Sequence, residues 1–126
     1  KFESNFVSLE IPKNNSVMFG SLSGTKLGVW VAHGEGKFEF PYEEKEYNII
    51  AKYNYDGYPA NPNGSPWSVA GVCSKDGRHL AMMPHPERAI FPWQCGYYPA
   101  DRKENDEVTP WIEAFVNARK WIENNK

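Results

Sequence analysis

The chain has 126 residues, 40% of them hydrophobic and 15% aromatic, which suits one compact domain with a real core and excludes two ordinary domains or wholesale disorder. Fourteen basic and 16 acidic residues leave a net charge of −2, and no block of Lys or Arg offers nucleic acid an electrostatic footprint. No apolar run approaches the roughly twenty residues of a membrane span, no signal-peptide pattern opens the chain, and two cysteines make no disulfide framework, so a reducing, cytoplasmic setting is the expectation.

Lys1 stands where a methionine would, and a strand-like run follows almost at once, the pattern of a piece of a longer polypeptide. Phe6 to Ile11 reads as a strand closed by Pro12, and Ser16 to Phe19 as one helical turn. Leu27 to Ala32 is apolar with little alternation, as in a strand buried on both faces. It runs into His33-Gly34-Glu35-Gly36, then into Lys37 to Phe40, which alternates. Tyr47 to Tyr53 is another strand, and Asp56 to Pro66, rich in proline and glycine, is a loop. Val69 to Ser74 and His79 to Met83 flank an Asp76-Gly77 pair, the signature of a hairpin. Phe91 to Tyr98 is aromatic and irregular, and Asp101 to Glu107 is charged and solvated. Thr109 and Pro110 are placed to start a helix, whose apolar stripe is Trp111, Phe115, Ala118 and Ile122.

The chemistry concentrates in Pro84-His85-Pro86-Glu87-Arg88. A residue before proline is pushed towards extended geometry, and in an extended segment residues i and i+2 point the same way. Glu87 can then hold one ring nitrogen of His85 and leave the other free as a base, two members of a nucleophilic triad. The plain structural alternative is a surface link between Glu87 and Arg88. His33 and Glu35 form a second His-x-Glu, with glycines that suit a pocket loop, as a possible pocket pair. All four side chains together could hold a divalent metal, but no spacing shows that they converge. Neither Cys73 nor Cys95 has the glycine-flanked elbow of a nucleophile, and both read as packing residues. Asn61-Pro62-Asn63-Gly64-Ser65-Pro66 is a structural turn or a pocket rim.

Ala32 to Gly36, Tyr58 to Pro66, Asp76 to Arg88 and Asn117-Ala118-Arg119-Lys120 together resemble phosphoribosylformylglycinamidine synthase. More narrowly, they resemble the C-terminal half of its glutaminase domain, a class I glutamine amidotransferase. The resemblance implies an α/β, flavodoxin-like three-layer domain, mostly parallel in its sheet. Residues 1–126 would supply a strand-rich portion with a β-hairpin and a C-terminal helix, the nucleophile-bearing half lying outside. It implies a Cys-His-Glu triad with His85 and Glu87 as the His and Glu, and glutamine as substrate. Ammonia would pass to a synthetase region that uses ATP and magnesium to make formylglycinamidine ribonucleotide from formylglycinamide ribonucleotide in purine synthesis. The chain itself would hold no cofactor or metal and would be inactive alone. Its partners would be the remainder of the glutaminase and synthetase, with self-association through an exposed apolar face, and neither nucleic acid nor membrane. The family segment matching Lys1 to Phe6 carries a basic residue where Asn5 stands. The alternatives are another class I amidotransferase or a non-catalytic binding domain of the same fold.

Overall fold

The computed structural model describes residues 2–125. Five strands are present among them: β1 (Glu3–Glu10), β2 (Lys26–His33), β3 (Asn48–Tyr53), β4 (Val69–Cys73) and β5 (Leu80–Met82). A short helix α1 (Ala100–Lys103) and a longer helix α2 (Ile112–Asn124) follow. The sheet order is β2-β1-β3-β4-β5, with every ladder antiparallel. The resemblance implies a mostly parallel sheet for the whole domain. Parallel neighbours need long crossovers, usually helical, and the strands here are joined by turns and irregular loops with no α-helix between them.

The apolar patterning explains the core. Val7 and Leu9 of β1 lie on one face with Val29 and Val31 of β2, in a register that pairs Val7 with Val29. Ile50, Ala51, Phe19 and Trp111 complete the buried cluster. The expectation that β2 is buried on both faces needs correction. Val29 and Val31 are sealed, whereas Gly28, Trp30 and Ala32 are half-buried. Their face is roofed by Gln94 to Gly96, with the Trp30 indole N–H donating to the Gln94 carbonyl at 2.7 Å.

The hairpin forms where Asp76-Gly77 places it. Gly77 takes φ of +77°, and a Cβ there would collide with the Asn15 carbonyl. Lys37 to Phe40 forms no strand. Phe40 stacks on Phe38 and Trp67 and packs on Tyr47, so the alternation reports an aromatic cluster instead of a ladder. Thr109 is not the helix cap: its hydroxyl donates to the Ala89 carbonyl at 2.5 Å. The buried side of α2 also differs from the expected stripe. Trp111 and Ala114 are sealed, while Phe115 and Ile122 are 38% and 57% exposed. The helix is therefore rotated so that Trp111 can reach Phe19, ring centroids 5.7 Å apart, and donate to the Gly28 carbonyl at 2.8 Å.

Just beyond β5 the chain returns to the free edge of β2. The His85 N–H donates to the Trp30 carbonyl at 2.8 Å, an isolated antiparallel bridge. Residues leading from the last strand in the sheet order thus meet the first, and the sheet curls into a half-barrel. This closure carries His85 to the C-terminal end of β2, where His33 also lies.

Candidate active site

His85 is held by its backbone on both sides. The Met83 N–H donates to the Ala70 carbonyl at 3.0 Å and the His85 N–H to Trp30. Pro86 then opens a single 3₁₀ turn, Pro86–Arg88, with Glu87 inside it. The turn brings Glu87 Oε2 to 2.9 Å from His85 Nδ1, while the same oxygen is 3.9 Å from Arg88 Nε. An ionised carboxylate only accepts, so Nδ1 carries the proton and Nε2 keeps its lone pair. Geometry thus favours the imidazole over the arginine as the partner of Glu87. The His85 side chain is 31% exposed, so Nε2 belongs to a group that a reactant can approach.

His33 and Glu35 do not form a second dyad. Glu35 is exposed, and both ring nitrogens of His33 are shut from solvent without a hydrogen-bond partner. A Cβ on Gly36 would overlap the His33 ring, so the glycine is what lets the imidazole seat on the backbone of its own loop. Burial pushes the His33 pKa down, and the neighbouring His85 adds to the shift, against the attraction of Glu3. Glu3 is its cross-strand partner on β1. Among the described residues no group of three or more His, Cys, Asp or Glu side chains is arranged to hold a metal ion, so the four-ligand arrangement considered from the sequence does not assemble.

The loop after β3 comes to the same end of the sheet. Asn5 donates to the Pro59 carbonyl at 3.3 Å. Asn61 is sealed and clamps Ser65 twice, donating to its carbonyl at 3.0 Å and accepting from its N–H at 3.1 Å. The Ser65 hydroxyl accepts from the Phe38 N–H at 3.1 Å, which ties this loop to the loop carrying His33. Sequence reasoning missed this clamp and the role of Trp30. An asparagine four residues before a serine, across a glycine, was the available signal for the clamp; Trp30 acts through its carbonyl and left none.

Neither cysteine is poised for attack. Burial raises the thiol pKa of both Cys73 and Cys95, and no imidazole is bonded to either. A cleft of about 410 Å³ lies beyond Phe6, lined by Lys26, Gly28, Tyr97 and Arg102 among others, and includes neither His85 nor Glu87.

Comparison with known proteins identifies the family. The CobB/CobQ-like glutamine amidotransferase domain family matches residues 1–122. A probable phosphoribosylformylglycinamidine synthase of Arabidopsis thaliana, chloroplastic/mitochondrial by name, is 42% identical over 98% of this chain. The human phosphoribosylformylglycinamidine synthase is 42% identical over 96% of it. In each case the chain spans 10% of the relative's length. A chain of PurLQS from Thermotoga maritima superposes with a TM-score of 0.71 at 24% identity, covering 97% of this chain and 49% of that one. The chain belongs to the CobB/CobQ-like glutamine amidotransferase domain family.

Proposed function

We propose that residues 1–126 are the C-terminal part of the glutaminase domain of a phosphoribosylformylglycinamidine synthase. The contact between His85 Nδ1 and Glu87 Oε2 at 2.9 Å carries the reading. His85 is the general base and Glu87 its orienter, and the thiol comes from a part of the protein outside these residues. His85 Nε2 takes the thiol proton as sulfur attacks the carboxamide carbon of glutamine. The imidazolium, stabilised by Glu87, returns that proton to the nitrogen as the C–N bond breaks and ammonia leaves. Water, activated by the same imidazole, cleaves the thioester to glutamate and regenerates the thiol.

The ammonia feeds an ATP- and magnesium-dependent synthetase region, which converts formylglycinamide ribonucleotide to the amidine. Both cofactors act in that synthetase region of the parent. The exposed side of α2, with Phe115, Val116 and Ile122, meets the rest of the parent, and in its absence pairs copies of this chain. The parent works in the cytoplasm; two free cysteines suit that setting, and no helix among the described residues is long and apolar enough to cross a membrane.

The test uses the full-length parent. His85→Asn should lower glutamine-dependent product formation by roughly 10²- to 10⁴-fold and leave ammonia-driven formation unchanged. Undiminished glutamine hydrolysis in that variant would mean that the dyad is not catalytic and that this is a binding domain of the same fold.

A further inference from the structure

The cleft of about 410 Å³ beyond Phe6 takes no part in the His85–Glu87 chemistry. Its volume falls in the roughly 300–1,000 Å³ range of small-molecule sites. It opens on the outer face of β1 and β2, where Phe6 and Ser8 share one side of the ladder with Trp30 and Gly28. Tyr97, Tyr98 and Arg102 line it from the segment that leads into α1 and from α1 itself. The aromatic lining is built. A Cβ on Gly28 or on Gly96 would run into the Phe6 ring, so two glycines leave the space that this ring fills. Trp30 holds the ring from the side, with centroids 5.0 Å apart and planes at 65°. Tyr97 is 75% exposed, and among the described residues its ring stacks on no other. A fixed phenyl beside an open phenol offers contact to a flat, apolar body.

The charges narrow the choice. Lys26 and Arg102 are the charged side chains that line the cleft. Arg102 is matched by Asp106, whose Oδ2 accepts from Arg102 Nε at 3.1 Å and lies 3.1 Å from Nη2. The Tyr98 hydroxyl donates to the same oxygen at 2.6 Å. Burial, with the Asp106 bond and charge behind it, pushes the Tyr98 pKa up to about 12, so the phenol keeps its proton and the arrangement holds at neutral pH. Lys26 has no such match. Glu10 faces it across the ladder, yet among the described residues Lys26 forms no ion pair, and Glu10 does not line the cleft. One positive charge is therefore left over, and Arg102 retains N–H donors that a single carboxylate oxygen does not use. A cation would be repelled, an uncharged ring would leave the ammonium unanswered, and an inorganic anion would leave the rings unused.

We infer that this cleft binds a small planar aromatic anion, its ring against Phe6 and Tyr97 and its carboxylate or phosphate at Lys26 and Arg102. The site is separate from the dyad and stands whether or not the glutaminase reading holds.

The test is saturation-transfer difference NMR on the full-length parent, with naphthoate and naphthyl phosphate as probes that distinguish the two head groups. Naphthalenemethanol supplies the ring without the charge, and inorganic phosphate, added as a competitor, the charge without the ring. At least one aromatic anion should bind, the tighter of the two naming the head group. The alcohol should bind roughly tenfold more weakly or worse, and inorganic phosphate should compete only at similarly higher concentration. Lys26→Gln and Tyr97→Ala change exposed side chains, and each should weaken binding by roughly 3- to 10-fold. Hydrogen exchange on the wild-type parent should show protection by the probe at Lys26 to Gly28 and Tyr97 to Arg102. Failure of both anions to bind overturns the proposal, and so does affinity unchanged by both substitutions, which puts the probe elsewhere. An alcohol that binds as tightly as the anions overturns the assigned class. A cleft covered by the rest of the parent gives no protection at these segments and overturns the site itself.

Discussion

One carboxylate oxygen stands between an imidazole and a guanidinium in this chain, and distance decides which it serves. Glu87 Oε2 is an ångström closer to His85 than to Arg88. A Glu87→Gln substitution keeps the shape but removes the charge that stabilises the imidazolium and fixes its tautomer. In the full-length parent it should cost roughly 10²- to 10⁴-fold in glutamine-dependent turnover, read against unchanged ammonia-driven turnover. His33 makes a different prediction, about stability. Its folded pKa lies below the ordinary 6.5, chiefly through burial. The unfolded chain therefore binds the proton more readily, and this group's contribution to stability falls as pH drops below 6.5 towards the folded value. Urea unfolding at pH 7, 6 and 5 should show that decline, and His33→Gln should flatten it. An unchanged slope in the variant would show that His33 is not its source.

At the scale of elements, the hairpin and α2 depend on different kinds of information. The β4–β5 turn is local: Gly77 adopts a left-handed backbone and Asp76 accepts from Ser74 and Arg78 around it. Gly77→Ala should destabilise the chain by about 1–2 kcal/mol from the backbone alone, with more from the Asn15 carbonyl in its way. A shifted urea midpoint at constant slope would check this. The placement of α2 is not local. Trp111, 1% exposed, joins the helix to Phe19 and to the outer edge of β2. Trp111→Ala should cost about 3–5 kcal/mol, a large part of a small domain's stability, and circular dichroism would show the loss of cooperative unfolding.

At the scale of the molecule, residues 1–126 hold the proposed base and its orienter, while burial raises the pKa of both thiols. The isolated chain should release no ammonia from glutamine; turnover in a purified sample at a rate above buffer would show that one of its own cysteines serves. The exposed Phe115, Val116 and Ile122 side of α2 should draw copies together. Sedimentation velocity should show concentration-dependent mass, weakened by Ile122→Lys. A single monomeric species across concentrations would rule that surface out.

Local spacing alone settles much of this protein. Prolines on both sides of His85 dictate extended geometry before it and a turn after it, so the reach of Glu87 to the ring is decided within four residues. The Asp76-Gly77 hairpin is decided in the same way. Alternation was a poorer guide. Lys37 to Phe40 alternates because its rings enter an aromatic cluster, and the α2 stripe was misjudged because Trp111 sets the helix rotation through partners more than eighty residues away. The gathering of His33 and His85 at one sheet end belongs to the tertiary structure alone. It requires the chain beyond β5 to bond the free edge of β2, a pairing across more than fifty residues that no local preference encodes.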